Sequence, residues 1–220
     1  MSYSTIMPTE ITLLILGWAL GLLSTIILDW YRDWSEREIV KPALLEELHE
    51  LRQRLVHHAF LIERKHGSVN YDFIKWAQSA LKQYKGTNID STESLIQSLS
   101  TLLNLRKEEV DAMALVMKER IATHRGTGLR KHSLPMLETN MGIVRRFDPI
   151  LRGKILEVKT RVGFLNELID ESRYYFQLSF ETGITPENYQ IASQNMIETN
   201  MFYAARARDI VDLIGGVPEK

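Results

Sequence analysis

The side chains best suited to acid–base or phosphoryl chemistry in this chain are its six histidines and the arginines beside them. Cysteine is absent, which removes disulfides, thiolate metal sites and a cysteine nucleophile. Two Glu-x-x-His pairs occur, Glu46/His49 and Glu63/His66. In di-iron bundles such pairs project inward from two different helices and are joined by further buried glutamates. Here both pairs fall on one helical stretch, and Glu46 points away from the Leu44/Leu48/Leu51 stripe. A solvated face is the expectation, with no metal and no cofactor. The segment HRGTGLRKHS, residues 124–133, places His124, Arg125, Arg130, Lys131 and His132 around Gly126-Thr127-Gly128. Free backbone amides beside several cations suit a phosphate or nucleotide. Arg125, Arg130, Lys131 and His132 are therefore the candidate ligand-binding residues, with Arg145 and Arg146 as additions if the fold brings them near. The competing reading is a solvated loop that is positive because it follows a helix C-terminus.

Arginine also precedes histidine at a short spacing, as at Arg52…His57 and Arg125…His132. This spacing resembles the Arg-x(4–6)-His motif of the HEPN family of small all-helical RNases. The resemblance covers these few residues. It implies a site in which arginine stabilises phosphoryl charge and histidine moves protons, assembled from paired subunits. Phosphate-loop, dinucleotide-binding, zinc-protease, serine-hydrolase and EF-hand signatures are absent, and no catalytic residue is assigned from the residues themselves.

The elements that carry these residues follow from pattern. The chain has 220 residues, with 45% hydrophobic and 25% charged residues, the composition of an ordinary folded protein rather than a disordered one. Its 27 Lys+Arg against 28 Asp+Glu give no global attraction to nucleic acid or anionic lipid. One local departure stands out. From Ile11 to Leu28 no residue is charged, with Glu10 and Asp29 on either side. About 18 residues make roughly 27 Å of helix, near the roughly 30 Å hydrocarbon core of a bilayer. Trp30, Tyr31 and Trp34 follow as an interfacial belt. A cleaved signal peptide fits poorly, because no cation precedes the run and no small-residue cleavage site closes it. The segment reads as a retained single-pass helix within an anchor region, residues 1–40. Arg32, Arg37 and Lys41 on the C-terminal flank place residue 29 onward in the cytosol and the N-terminus outside a bacterial inner (plasma) membrane. Gly17, Gly21 and Thr25 form a small-residue ridge, the candidate oligomerisation face.

Beyond the anchor, residues 41–220 show helical periodicity and no convincing period of two. Pro42 reads as the first residue of a new helix carrying Leu44, Leu48, Leu51, Leu55, Ala59 and Ile62 to Gly67. A second helix starts after Asn70 and runs to Gly86. Asp90-x-x-Glu93 reads as a capping box for a third, interrupted near Arg106–Glu109. A short helix spans about 135–147. Asp148-Pro149 opens the longest helix, with its stripe running from Leu151 through Phe176 and Phe180, and Thr185-Pro186 opens the last, with Tyr189, Met196, Tyr203 and Ile210 on its face and its end at Gly215-Gly216. The long helix has coiled-coil or bundle spacing. The match between Met136–Met141 and Met196–Met201, which differ only at Leu137/Ile197, is too short for a repeat, though Asn140 and Asn200 would fix register if buried.

The fold expected is all-α, a single transmembrane helix followed by a cytosolic antiparallel bundle of four or more helices. The function expected is non-enzymatic: a homo-oligomer or partner-binding protein that clusters its transmembrane helices, as a signalling, stress or phage-defence membrane effector does. A tethered HEPN-like RNase and a structural subunit of a larger membrane complex are the alternatives, and nucleotide or RNA are the ligands the cations would suit.

Overall fold

A computed structural model of the chain describes residues 9–66, 69–84, 89–120 and 128–218, which form eight helices and no strand. The chain divides into two compact units, Met1–Pro42 and Ala43–Lys220. The first helix, α1 (Thr9–His66), runs through Pro42 instead of starting there. The proline removes one amide donor, but Pro42 is exposed, so the carbonyl left behind can bind water, and strong helix formers flank it on both sides.

In the first unit, the side chains of residues 13–28 are exposed except for half-exposed Ala19. Mean hydropathy reaches 1.9 over 18 residues, none of them buried. Ser24 Oγ and Thr25 Oγ1 donate to the Leu20 and Leu22 carbonyls, at 2.7 Å each, so these hydroxyls are satisfied without water. The helix is long and apolar enough to cross a membrane.

The core of the second unit takes Leu44, Leu48, Leu51, Leu55, Val56, Ala59 and Ile62 from α1, all buried. Next come α2 (Tyr71–Lys82), α3 (Ile89–Leu103) and α4 (Lys107–Arg120). Asn70 caps α2 by accepting from the Phe73 amide at 2.8 Å, as the sequence suggests. The helix ends at Lys82, and Gly86 lies outside the described residues. The Asp90 side chain of the expected capping box also lies outside them. The interruption near residue 106 is a true break. Glu109 reaches back to the Arg106 amide at 2.9 Å and opens α4.

The expected short helix is two, α5 (Pro135–Thr139) and α6 (Met141–Val144). The start of α5 has no cap from its own N-cap residue, Leu134. Glu47 of α1 supplies one instead, its two carboxylate oxygens accepting from the Met136 and Leu137 amides at 2.9 and 3.0 Å. The two six-residue segments, alike at five positions, adopt different structures. One spans the α5–α6 break, and the other lies inside the last helix. Asn140 is half-exposed and bonds the Met136 carbonyl, whereas Asn200 is buried and accepts from Ser172 at 2.9 Å. Only Asn200 is placed to fix register.

The last two helices, α7 (Pro149–Leu178) and α8 (Pro186–Gly215), pack on each other. Asp148 and Thr185 cap them as expected. The α7 stripe is buried at Leu151, Ile155, Val158, Val162, Leu165, Ile169 and Ser172. It stops there, because Phe176 is exposed and Phe180 is 70% exposed. On α8, Tyr203 and Ile210 are buried, while Tyr189 is exposed and Met196 half-buried. The seven-residue spacing picks only part of the face. The buried set is Ala192, Thr199, Asn200, Tyr203, Ala204, Ala207, Ile210, Val211 and Ile214, whose small members allow α7 to approach closely.

Candidate functional site

Tyr203 carries the most concentrated polar chemistry in the core. Its hydroxyl lies 2.7 Å from His132 Nε2 and 3.2 Å from His58 Nδ1, and the two imidazole centroids are 5.4 Å apart. One ring takes the phenolic proton and the other donates its N–H to the same oxygen, so neutral rings of complementary tautomer satisfy the group. Burial drives both histidines to about 4, helped for His132 by the neighbouring His58 and for His58 by His57, with Arg54 adding to each. Burial likewise pushes the Tyr203 hydroxyl upward, slightly opposed by Arg54. At neutral pH the cluster is uncharged.

The segment before α5 is sewn to α7. The His132 amide donates to Asn166 Oδ1 and the His132 carbonyl accepts from Asn166 Nδ2, both at 2.8 Å. Arg173 donates to the Leu129 carbonyl at 3.1 Å. Lys131 pairs with Asp170 at 2.6 Å, both about half exposed. Gly128 takes φ +63°, the left-handed region that favours glycine.

The candidate anion-loop residues therefore part company. Arg125, Gly126 and Thr127 lie outside the described residues. Arg130 is exposed, Lys131 is engaged with Asp170, and His132 is 5% exposed with its Nε2 on Tyr203. Arg145 and Arg146 are exposed. Gly17, Gly21 and Thr25 share one exposed face of α1, and nothing lies within 4 Å of where a side chain on either glycine would begin.

Arg52 and His57 are not brought together. Arg52 is 6% exposed, donates to Gln83 Oε1 at 2.8 Å, and lines a cavity of about 210 Å³ with His49, Gly215 and Val217. Its guanidinium lies against Gly215, where an added methyl would meet Nη2 at 2.9 Å. Lys154 donates to the Gly216 carbonyl on the same helix end. Two cations thus face the negative end of α8, which suits the helix dipole. Desolvation lowers the Arg52 pKa and the charge of Asp212 partly restores it. His57 lines a different cavity, between α1 and α3. Among the Glu-x-x-His residues, Glu46 is exposed but Glu63 is buried, contrary to a wholly solvated face. No group of three metal-ligating side chains occurs among the described residues.

Sequence reasoning missed His58, Tyr203 and Glu47. Tyr203 carried a signal, since a tyrosine on an apolar stripe needs a partner for its hydroxyl. Compared with known protein families, curated proteins and solved structures, the chain matches none.

Proposed function

We propose that the chain is a single-pass membrane protein that works without catalysis, by bringing copies of itself together. The observation that carries this reading is the exposed apolar run of α1, residues 13–28, with the small residues Gly17, Gly21 and Thr25 on one face. Packing of such ridges drives helix association in lipid. With cations only on the C-terminal flank, the second unit lies in the cytosol of a bacterial cell and its helices form an antiparallel bundle.

A second copy also suits the α7–α8 face. Phe164 and Phe202 are 58% and 63% exposed there. Phe164 lines a groove of about 500 Å³ with Arg161, Arg206, Glu167 and Glu171. Cations and carboxylates in one groove can pair with a copy of themselves across a two-fold axis. The tethered-nuclease alternative is weakened by the divergence of Arg52 and His57 into separate cavities.

The experiment is subunit counting by single-molecule photobleaching of the full chain in liposomes, beside a voltage-sensitive dye in expressing cells. Clustering that is lost in Gly17→Leu/Gly21→Leu supports the reading, and depolarisation lost in parallel makes the clusters membrane effectors. A monomer at all lipid densities refutes it.

A further inference from the structure

The cleft between α1 and α3 differs in its lining from the groove on the α7–α8 face. It measures about 470 Å³, within the size range of small-molecule sites. One wall is Arg54, His57 and His58, which lie three and four positions apart and so share one helical face. The opposite wall is Ser94 and Ser98, one turn apart on α3. Leu95 supplies apolar surface beside the buried Leu81, and no carboxylate of the described residues lines the cleft. The α7–α8 groove, by contrast, sets Glu167 and Glu171 beside its arginines.

The donors differ in how they are already used. The Ser98 hydroxyl donates to the Ser94 carbonyl at 2.9 Å, and Gln53 donates to Thr92 at 3.1 Å. The hydroxyl of Ser94 and the Arg54 guanidinium make no such bond among the described residues, and both side chains are exposed at the cleft. His58 keeps Nδ1 on Tyr203 while its ring lines the cleft.

We propose that this cleft binds a small phosphate monoester. Arg54 presents a planar fork that matches phosphate oxygens two at a time. His57 donates a ring N–H, and Ser94 donates from the facing helix. The organic part of the ester lies against Leu95, so the site favours a monoester over free phosphate. This assignment is independent of self-association, and either can fail without the other.

The test is isothermal titration calorimetry on the full chain in detergent micelles. The probes are inorganic phosphate, AMP and glucose 6-phosphate, with adenosine and glucose as uncharged controls. At least one monoester is expected to bind about tenfold or more tightly than inorganic phosphate, from its added apolar contact, with no heat from the controls. Arg54→Gln and His57→Gln, both at exposed positions, are each expected to weaken binding about tenfold through loss of a charge-assisted hydrogen bond. Arg130→Gln, at an exposed cation that does not line the cleft, is expected to change nothing, and circular dichroism checks that each variant is folded. No heat from any phosphorylated probe overturns the proposal. Binding that Arg54→Gln leaves intact, or that Arg130→Gln weakens equally, also overturns it.

Discussion

Acid should loosen the second unit through the His58–Tyr203–His132 cluster. Both histidines sit at about 4 in the folded chain against an ordinary 6.5. A base whose folded value is depressed leaves the unfolded chain holding more protons between those two values, so stability falls as pH drops from about 6.5 toward 4 and levels off below. At about 1.4 kcal/mol per pH unit, one such ring costs about 2 kcal/mol at pH 5 and about 3 kcal/mol below pH 4. The two rings share one oxygen and repel once charged, so they titrate as a coupled pair and not as independent sites. The assay is urea unfolding of the full chain in micelles at pH 7 and pH 5. Trp76 serves as the reporter after Trp18, Trp30 and Trp34 are changed to Phe. Trp76 is well placed, because it donates to Asp212 on α8 at 2.8 Å and carries the Arg208 guanidinium 5.1 Å from its ring. The wild type should lose at least about 2 kcal/mol between the two pH values. His132→Gln, which cannot titrate, should lose measurably less. A pH-independent midpoint, or an unchanged acid loss in His132→Gln, refutes the reasoning.

Glu47→Ala removes both acceptors from the start of α5 and should cost about 1–2 kcal/mol in the same unfolding assay, the usual worth of a helix cap. Gly153 and Gly163 lie inside α7 with open space where a side chain would begin. Alanine at either should stabilise the unit by about 0.5–1 kcal/mol, unless the exposed α7 face is covered in a self-associated form, in which case photobleaching should show smaller clusters. Tyr203→Phe strips the shared oxygen from two buried ring nitrogens and should cost about 1–3 kcal/mol. Deleting residues 1–42 should release the chain from membranes in a flotation assay.

What was legible in the sequence was the chemistry of near neighbours. Asn70, Asp148 and Thr185 cap their helices through amides two or three residues away, and such bonds are written in a short window. The stripe of α7 was legible down to Ser172 but not its end. Periodicity marks an apolar face without saying where the partner stops, and the first buried residue of α8 is Ala192, so Phe176 and Phe180 pack chiefly on each other, with ring centroids 4.9 Å apart. His132 and Lys131 looked like a solvated cationic loop because their partners, Tyr203, Asn166 and Asp170, are 34 or more residues away. Arg52 misled for the same reason. A motif spacing of five looks local, but i and i+5 point to different sides of a helix, and the partner of Arg52 is Gln83.

The reach of α1 also sets a timetable. Its half in the second unit is synthesised before everything it caps or packs on: Met136 follows Glu47 by 89 residues, and Tyr203 follows His58 by 145. At translation speeds of roughly 5–20 residues per second, the apolar row from Leu44 to Ile62 waits on the order of ten seconds for α8 to close over it. During that interval the nascent chain carries two uncovered hydrophobic surfaces, one of them long and apolar enough to cross a membrane. The second is the better target for a chaperone, and for capture by the wrong neighbour when ribosomes on one message crowd together.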